Sequence, residues 1–425
     1  MASASLWIYR LLLGGLLPIA LPAIKLRQWL AGKSRPRFRD RLGRSVPELP
    51  KDGIWIQAVS VGEVEVARGL VAELEERAPE LPIFLTATTA TGLDLARRTL
   101  GDRLPVFPCP IDLPGPVSRV FEVARPRLLV LVETELWPEM LHQAGLREVP
   151  VAVINARLSP GSFAGYRRIA GRLRKLLAPL AMVLARTEAD AERFAGLNVP
   201  RERIVVSGNV KYDLQADQRP LEWEEEIRRV AGDRSILVAG STMEGEEAQI
   251  LDAMADLDAN GSTPFLILAP RHPERFDTVA QLLADRGLVS SRRSSGDAIP
   301  SDADAFLIDT IGELARSYRL ATLAFIGGSL VPTGGHNPLE PAVWGVPVLS
   351  GPHVFNFDEV YDEMTQAGGA RLVEDGAELR VAMAAWLDEP DFAIAAGNAG
   401  REVVERNRGA TARTVSALVE LVQRV

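Results

Sequence analysis

Beyond Pro50 the chain alternates short apolar runs with longer amphipathic stretches, and the alternation persists to about residue 350. The runs are Ile54–Val59, Ile83–Thr86, Leu128–Val132, Val151–Ile154, Met182–Ala185 and Ile204–Val206. They continue with Ile236–Ala239, Phe265–Ala269, Ala305–Ile308, Leu323–Ile326 and Pro347–Leu349. A strand that is apolar on both faces needs cover on both faces. Helices packed against a parallel sheet supply that cover, so the pattern predicts an α/β doubly wound architecture. A length of 425 residues exceeds one such domain and suits two. With 47% hydrophobic but only 6% aromatic residues, Ala, Leu, Val and Gly must fill the cores.

Two segments far apart in sequence look alike. Ile54-Trp-Ile-Gln-Ala-Val-Ser60-Val-Gly-Glu63 and Ser235-Ile-Leu-Val-Ala-Gly-Ser241-Thr-Met-Glu244 each run from an apolar strand through a tight turn into a helical pattern. They read as the first βα units of two similar Rossmann-like domains. The polar stretch Gly208–Pro220 is the expected linker, and the expected divisions are residues 1–45, 46–210 and 211–425. In such sheets ligands bind outside the carboxyl ends of the strands, so a cleft between the domains is the expected site.

The first 45 residues differ from the rest. Leu11–Ile24 is uncharged and apolar, and Arg10 is the only charge before Lys25. Between Lys25 and Arg44 lie eight basic residues and Asp40, a net +7, so the remainder of a chain of net charge −8 carries −15. Basic residues after the apolar run, not before it, favour a retained membrane anchor with the body on the cytoplasmic side, Arg10 snorkelling to the interface. An apolar helix packed on the body is the alternative. A basic collar on an acidic body excludes general nucleic-acid binding. The single cysteine, Cys109, has no partner for a disulfide and no adjacent base.

Four turns repeat one pattern: Ser60-x-x-Glu63, Ser241-x-x-Glu244, Thr310-x-x-Glu313 and Asn337-x-x-Glu340. Each matches a capping box. Each also follows a strand, where helix amides and close-approaching glycines suit an anionic ligand. Pro338 and Gly345 predict a helix over Asn337–Trp344. Arg271 in Pro270-Arg-His-Pro and Glu133 in Glu133-Thr-Glu-Leu-Trp-Pro138 stand just past buried strands. No Gly-x-Gly-x-x-Gly follows a strand and no Gly-Lys-Ser/Thr occurs, which disfavours dinucleotide and Walker-type sites. The four histidines are dispersed, so no metal site is expected. In Gly165–Leu177, apolar Tyr166, Ile169, Leu173, Leu176 and Leu177 recur at helical spacing between Arg167, Arg168, Arg172, Arg174 and Lys175, a helix suited to an anionic surface.

Six strings in order resemble the Kdo (3-deoxy-D-manno-octulosonic acid) transferases. They are Ser60-Val-Gly-Glu63, Glu133-Thr-Glu-Leu-Trp-Pro138, Asn155-Ala-Arg-Leu-Ser159, Pro270-Arg-His-Pro-Glu-Arg-Phe276, Asp309-Thr-Ile-Gly-Glu-Leu314 and Gly327-Gly-Ser-Leu330 with Gly334-Gly-His-Asn-Pro-Leu-Glu340. The resemblance implies a GT-B glycosyltransferase, two Rossmann-like domains facing a cleft, working at the inner membrane without cofactor or metal. It implies inverting transfer of Kdo from CMP-Kdo to a lipid A precursor. Glu63 matches the general base, with Glu133 and Lys211 beside it as catalytic candidates. Pro270, Arg271, Ile311, Gly312, Glu313, Asn337, Pro338, Leu339 and Glu340 match the CMP-binding positions. Met243 and Gln57 stand where this family usually has His. The rival expectations are a GT-B enzyme using a UDP-sugar and a catalytically silent nucleotide-sugar binding protein. A helix N-terminus should depress the Glu63 carboxyl and burial should raise it.

Overall fold

The computed structural model describes residues 6–15, 38–43, 46–258 and 263–424. The chain divides into two compact units. One comprises the residues up to Asp213 together with Arg408–Val425, and the other is Leu214–Asn407. The first boundary falls inside the expected linker.

In the first unit seven strands form one sheet: β1 Ile54–Ala58, β2 Ile83–Ala87, β3 Val106–Pro108, β4 Leu128–Val132, β5 Val151–Ala156, β6 Leu180–Ala185 and β7 Ile204–Val206. Their spatial order is β3-β2-β1-β4-β5-β6-β7, and every pairing is parallel. The second unit repeats the plan with β8 Ile236–Thr242, β9 Phe265–Pro270, β10 Ser290–Arg292, β11 Ala305–Leu307, β12 Leu323–Ile326, β13 Val348–Ser350 and β14 Ala370–Leu372. Its order is β10-β11-β9-β8-β12-β13-β14, again all parallel. The strand order reverses between β1 and β4 in one sheet and between β8 and β12 in the other. These switch points are where an open α/β sheet offers a crevice.

Burial follows the reasoning from sequence. Ile54–Ala58 and Leu128–Val132 are buried at every position, as strands covered on both faces require. One face of the first sheet packs on the helix Val61–Arg77, through Val64, Ala67, Leu70, Val71 and Leu74. The other holds Trp55, Phe84, Phe107 and Phe121 with the buried Cys109.

The helix Ala410–Gln423 departs from the expected division, which gave residues 211–425 to the second domain. It places Val415, Leu418, Leu421 and Val422 in the same core cluster as Val64 and Leu70. Asp213 holds its start by accepting from the amides of Gly409 (2.5 Å) and Thr411. Lys211 accordingly lies in the first unit, on the turn Val210–Asp213.

Near the N-terminus, residues 6–15 are helical. Arg10 does not snorkel: it forms a bidentate pair with the fully buried Glu139, at 2.7 and 2.9 Å. The Tyr9 hydroxyl donates to Asp112 at 2.8 Å. Trp7, Ile8, Leu11 and Leu12 of the same helix are more than half exposed. Residues 16–37, and with them most of the expected anchor and its collar, lie outside the described residues. Among the described residues no helix is long and apolar enough to cross a membrane.

The expected basic helix is two, Pro160–Arg167 and Ala170–Leu177. Gly165 and Gly171 weaken a continuous helix here. Phe163, Tyr166, Leu173 and Leu176 lean on the core from two axes. Arg167, Arg168, Arg172, Arg174 and Lys175 are all exposed.

Candidate functional site

The first unit gathers three carboxylates at its switch point. Ser60 caps the helix Val61–Arg77, accepting from the Glu63 amide. Glu63 folds back so that its carboxylate accepts from the Val59 amide (2.7 Å) and the Ser60 hydroxyl (3.1 Å). The expected capping box is therefore formed, and it sets the Glu63 carboxylate at the carboxyl end of β1. Only 7% of Glu63 is exposed. Glu133 and Glu135, past the end of the neighbouring β4, add negative charge beside it. Burial, with those two charges, outweighs the two hydrogen bonds and lifts the Glu63 carboxyl from 4.5 to about 7. Glu135 is also raised, by burial and then by Glu133.

Backbone conformation marks the same place. Glu133 has φ +60° and Asn155 φ +49°, left-handed values at the ends of β4 and β5. A non-glycine residue held there costs on the order of 1 kcal/mol, and such strain gathers at functional sites. Glu133 pairs with the buried Arg186. The Arg186 Nε donates to the Asn155 carbonyl (3.1 Å), and Asn155 Oδ1 accepts from the Val210 amide (3.1 Å). Lys211 follows Val210, so one chain of contacts links the carboxylates to the Lys211 turn. The sequence reading missed Arg186, which sits at the end of β6 without a motif around it.

Gln57 occupies its expected-His position as a structural residue. It is fully buried, donates to the Ala58 carbonyl (2.9 Å) and Thr88 Oγ1 (3.0 Å), and accepts from Thr86.

In the second unit the donor candidates converge on the carboxyl ends of β9, β11 and β12. The Arg271 amide donates to the Thr242 carbonyl (3.0 Å), fixing the end of β9 to β8. His336 is pushed down to about 4, by burial first and then by Arg271 and His272. That places Pro270-Arg271-His272 beside the Gly334–Asn337 loop. The Ile311-Gly312 turn past β11 is open, with Ile311 78% exposed and Gly312 at φ +97°. Glu313 is committed to protein partners. Burial opposes its ionisation, but Thr310, Arg293 (3.0 Å) and Trp223 (3.2 Å) bond it and hold it below the usual range. The helix there begins only at Leu314, so Thr310 and Glu313 bond each other without capping it.

The helix expected over Asn337–Trp344 is shorter, Leu339–Ala342, with Gly345 at φ +73° behind it. Asn337 Oδ1 still accepts from the Leu339 amide, at 3.1 Å. Trp344 Nε1 donates to the Ala315 carbonyl (3.0 Å), joining this turn to the one after β11. The Ser241-x-x-Glu244 box is not formed. Ser241 has φ +56°, Glu244 is exposed, and the carboxylates that turn inward are Glu246 and Glu247. Among the described residues no group of three or more His, Cys, Asp or Glu side chains is arranged to hold a metal ion.

A family model described as 3-Deoxy-D-manno-octulosonic-acid transferase (kdotransferase) matches residues 36–214. The 3-deoxy-D-manno-octulosonic acid transferase of Haemophilus influenzae is 37% identical over 98% of this chain and 99% of its own. The chain belongs to the Kdo transferase family. The enzyme of that name from Bordetella pertussis is 35% identical over 97% of this chain and 98% of its own. As a Kdo transferase homologue along nearly its whole length, the chain is a glycosyltransferase. Its fold is shared more widely than its sequence. UDP-GlcNAc 2-epimerase from Neisseria meningitidis aligns with a TM-score of 0.59 over 88% of this chain and 100% of that one, at 14% identity. Both sheets of the Kdo transferase homologue thus follow the twin-domain plan of that nucleotide-sugar enzyme.

Proposed function

We propose that the protein transfers Kdo from CMP-Kdo to a lipid A precursor, lipid IVA, in lipopolysaccharide synthesis, by inverting, metal-independent displacement. The observation that carries this is Glu63, a buried carboxylate at a strand end whose pKa is about 7. A base near 7 is both deprotonated and strong enough to work at physiological pH. A glucosamine hydroxyl of the acceptor gives its proton to Glu63 as its oxygen bonds the anomeric carbon. The bond from that carbon to the phosphate oxygen breaks, and CMP leaves with the electron pair. One displacement inverts the anomeric centre. The charge growing on CMP is met in the second unit by Arg271 and the turn at Asn337–Glu340. Incubating pure protein with CMP-Kdo and lipid IVA, and reading the lipid by mass spectrometry, tests this. A product with a UDP-sugar, or none, sinks it.

The donor assignment has its own test. Arg271→Ala and Glu340→Ala are expected to weaken CMP binding about tenfold each, from the size of a charge-assisted hydrogen bond. Calorimetric titration giving parental affinity in both would move the nucleotide elsewhere.

The membrane assignment joins two surfaces of the first unit. The exposed Trp7, Ile8, Leu11 and Leu12 provide an apolar contact, and the exposed basic row Arg167–Lys175 provides attraction to anionic headgroups. We place the protein on the cytoplasmic face of the inner membrane, with the N-terminal segment as anchor. Reversing Arg167, Arg168 and Arg172 to Glu is expected to reduce sedimentation with anionic liposomes at least tenfold, at about 1 kcal/mol per basic residue. Parental sedimentation would make these helices scaffold.

A further inference from the structure

Glu246 is fully buried and sits at the start of the helix Glu246–Asp258. Its carboxylate accepts from four backbone amides. One oxygen takes Met243 (2.8 Å) and Gly328 (2.6 Å), and the other takes Ser329 (2.8 Å) and Leu330 (2.9 Å). The first of these donors lies past β8 and the other three past β12, the two strands that meet at the switch point. Three successive amides around a left-handed glycine, Gly328 at φ +70°, make a concave anion-binding nest. In a doubly wound fold such a nest at a switch point is where a ligand's phosphate is commonly seated. Here a carboxylate of the protein already fills it.

On the footing of the donor assignment above, we propose that Glu246 is a positioning residue for the donor site: an internal anion that occupies the nest after β12 and holds the Gly328–Asn337 loop in its binding conformation. The contacts run outward from it. Gly328, held through its amide, accepts through its carbonyl from the Gly335 amide (2.7 Å) and the Thr333 hydroxyl (2.8 Å). A Cβ on Gly328 would come within 3.0 Å of the His336 ring. Ser329 accepts from the His353 amide through its carbonyl (3.0 Å) and from the Gly351 amide through its hydroxyl (2.8 Å). Asn337 lies two residues beyond Gly335. The donor phosphate is consequently met at the Asn337–Glu340 turn and Arg271, not at the nest.

The chemistry makes the charge and the shape of Glu246 necessary together. All four partners are donors, so only a group with two accepting oxygens satisfies them. A Gln in this place turns its own N–H₂ toward two N–H groups and leaves both without an acceptor. Thermal melts of full-length Glu246→Gln identify the folded fraction, and calorimetry on that fraction reads CMP affinity. The expected result is a dissociation constant for CMP raised at least tenfold and a raised donor KM, with kcat at saturating donor within about threefold of the parent. In Glu246→Ala, formate, a small carboxylate, is expected to recover CMP affinity, and formamide is not. Parental CMP affinity in folded Glu246→Gln overturns the proposal, as does Glu246→Ala that binds CMP equally with and without formate. A parent that binds no CMP sinks the donor assignment and this inference with it. A parent that binds CMP beside a variant that binds it equally well sinks this inference alone.

Discussion

Turnover in a Glu63→Gln variant is expected to fall about 100-fold or more, with CMP affinity unchanged. Gln keeps an oxygen to accept from the Val59 amide, its N–H₂ donates to the Ser60 hydroxyl in place of accepting from it, and the capacity to take a proton is lost. In the parent, turnover is expected to rise with pH through an inflection near 7, because the base acts only when ionised and its carboxyl is raised to about 7. The variant loses that inflection. Stability moves the opposite way. The Glu63 carboxyl sits above its ordinary 4.5, so the folded state favours the protonated form. The stabilisation that results is complete below about pH 4.5 and is lost as pH rises through 7. At pH 8 the parent buries an ionised group that the variant lacks, and Glu63→Gln is expected to melt at the same temperature or higher. Rate and melting measured across pH 5–9 check both arms. A variant that is slow and also much less stable at pH 8 would show damage to the fold, and a variant of near-parental rate would remove Glu63 from the chemistry.

Arg10→Ala is expected to destabilise the first unit by about 3–5 kcal/mol, a loss of roughly 10 °C in its melting transition. The reason is the partner left behind. Glu139 is fully buried, and without Arg10 its charge keeps, among the described residues, only Gln143, at 2.6 Å, as a side-chain donor. An uncompensated buried charge costs far more than the pair contributes when intact. Arg10→Met combined with Glu139→Leu removes both charges and is expected to recover most of the loss. Calorimetric melting of the three variants beside the parent decides it. An Arg10→Ala melt within 2 °C of the parent would mean that the pair carries no such weight.

What the sequence made legible was whatever depends on neighbours in sequence. The central strands β1, β4, β8, β9 and β12 announce themselves as runs of Val, Ile and Leu because both faces are covered. The strands it missed, β3, β10 and β14, are each three residues long and stand at sheet edges, where one flank has no partner and little apolar surface is demanded. The capping box at Ser-Val-Gly-Glu was legible because it is local, and it is formed. How far the Glu63 carboxyl is raised was not legible, since burial and the charges of Glu133 and Glu135 depend on residues distant in sequence. The same limit hid Glu246. The string Ser241-Thr-Met-Glu-Gly-Glu-Glu247 has three carboxylates, and spacing selects Glu244. The left-handed turns at Ser241 and Gly245, together with amides more than 80 residues ahead, select Glu246 instead. Arg10 within an apolar run suggests a charge seeking water, and nothing nearby in sequence names Glu139 as its partner, 129 residues away.

The helix Ala410–Gln423, which follows the whole second unit in sequence, completes the core of the first. On the ribosome this has a cost in time. The face of the helix Val61–Arg77 that it covers emerges early, and its cover is translated only after all of Leu214–Asn407. From Arg77 to Ala410, at about 5–20 residues per second, the gap is roughly 17 to 67 s. Over that interval the surface of that helix which Ala410–Gln423 covers stands open on a nascent chain, a natural docking point for a chaperone. The inserted unit has its own uninterrupted stretch of chain and is free to finish folding before the unit that precedes it.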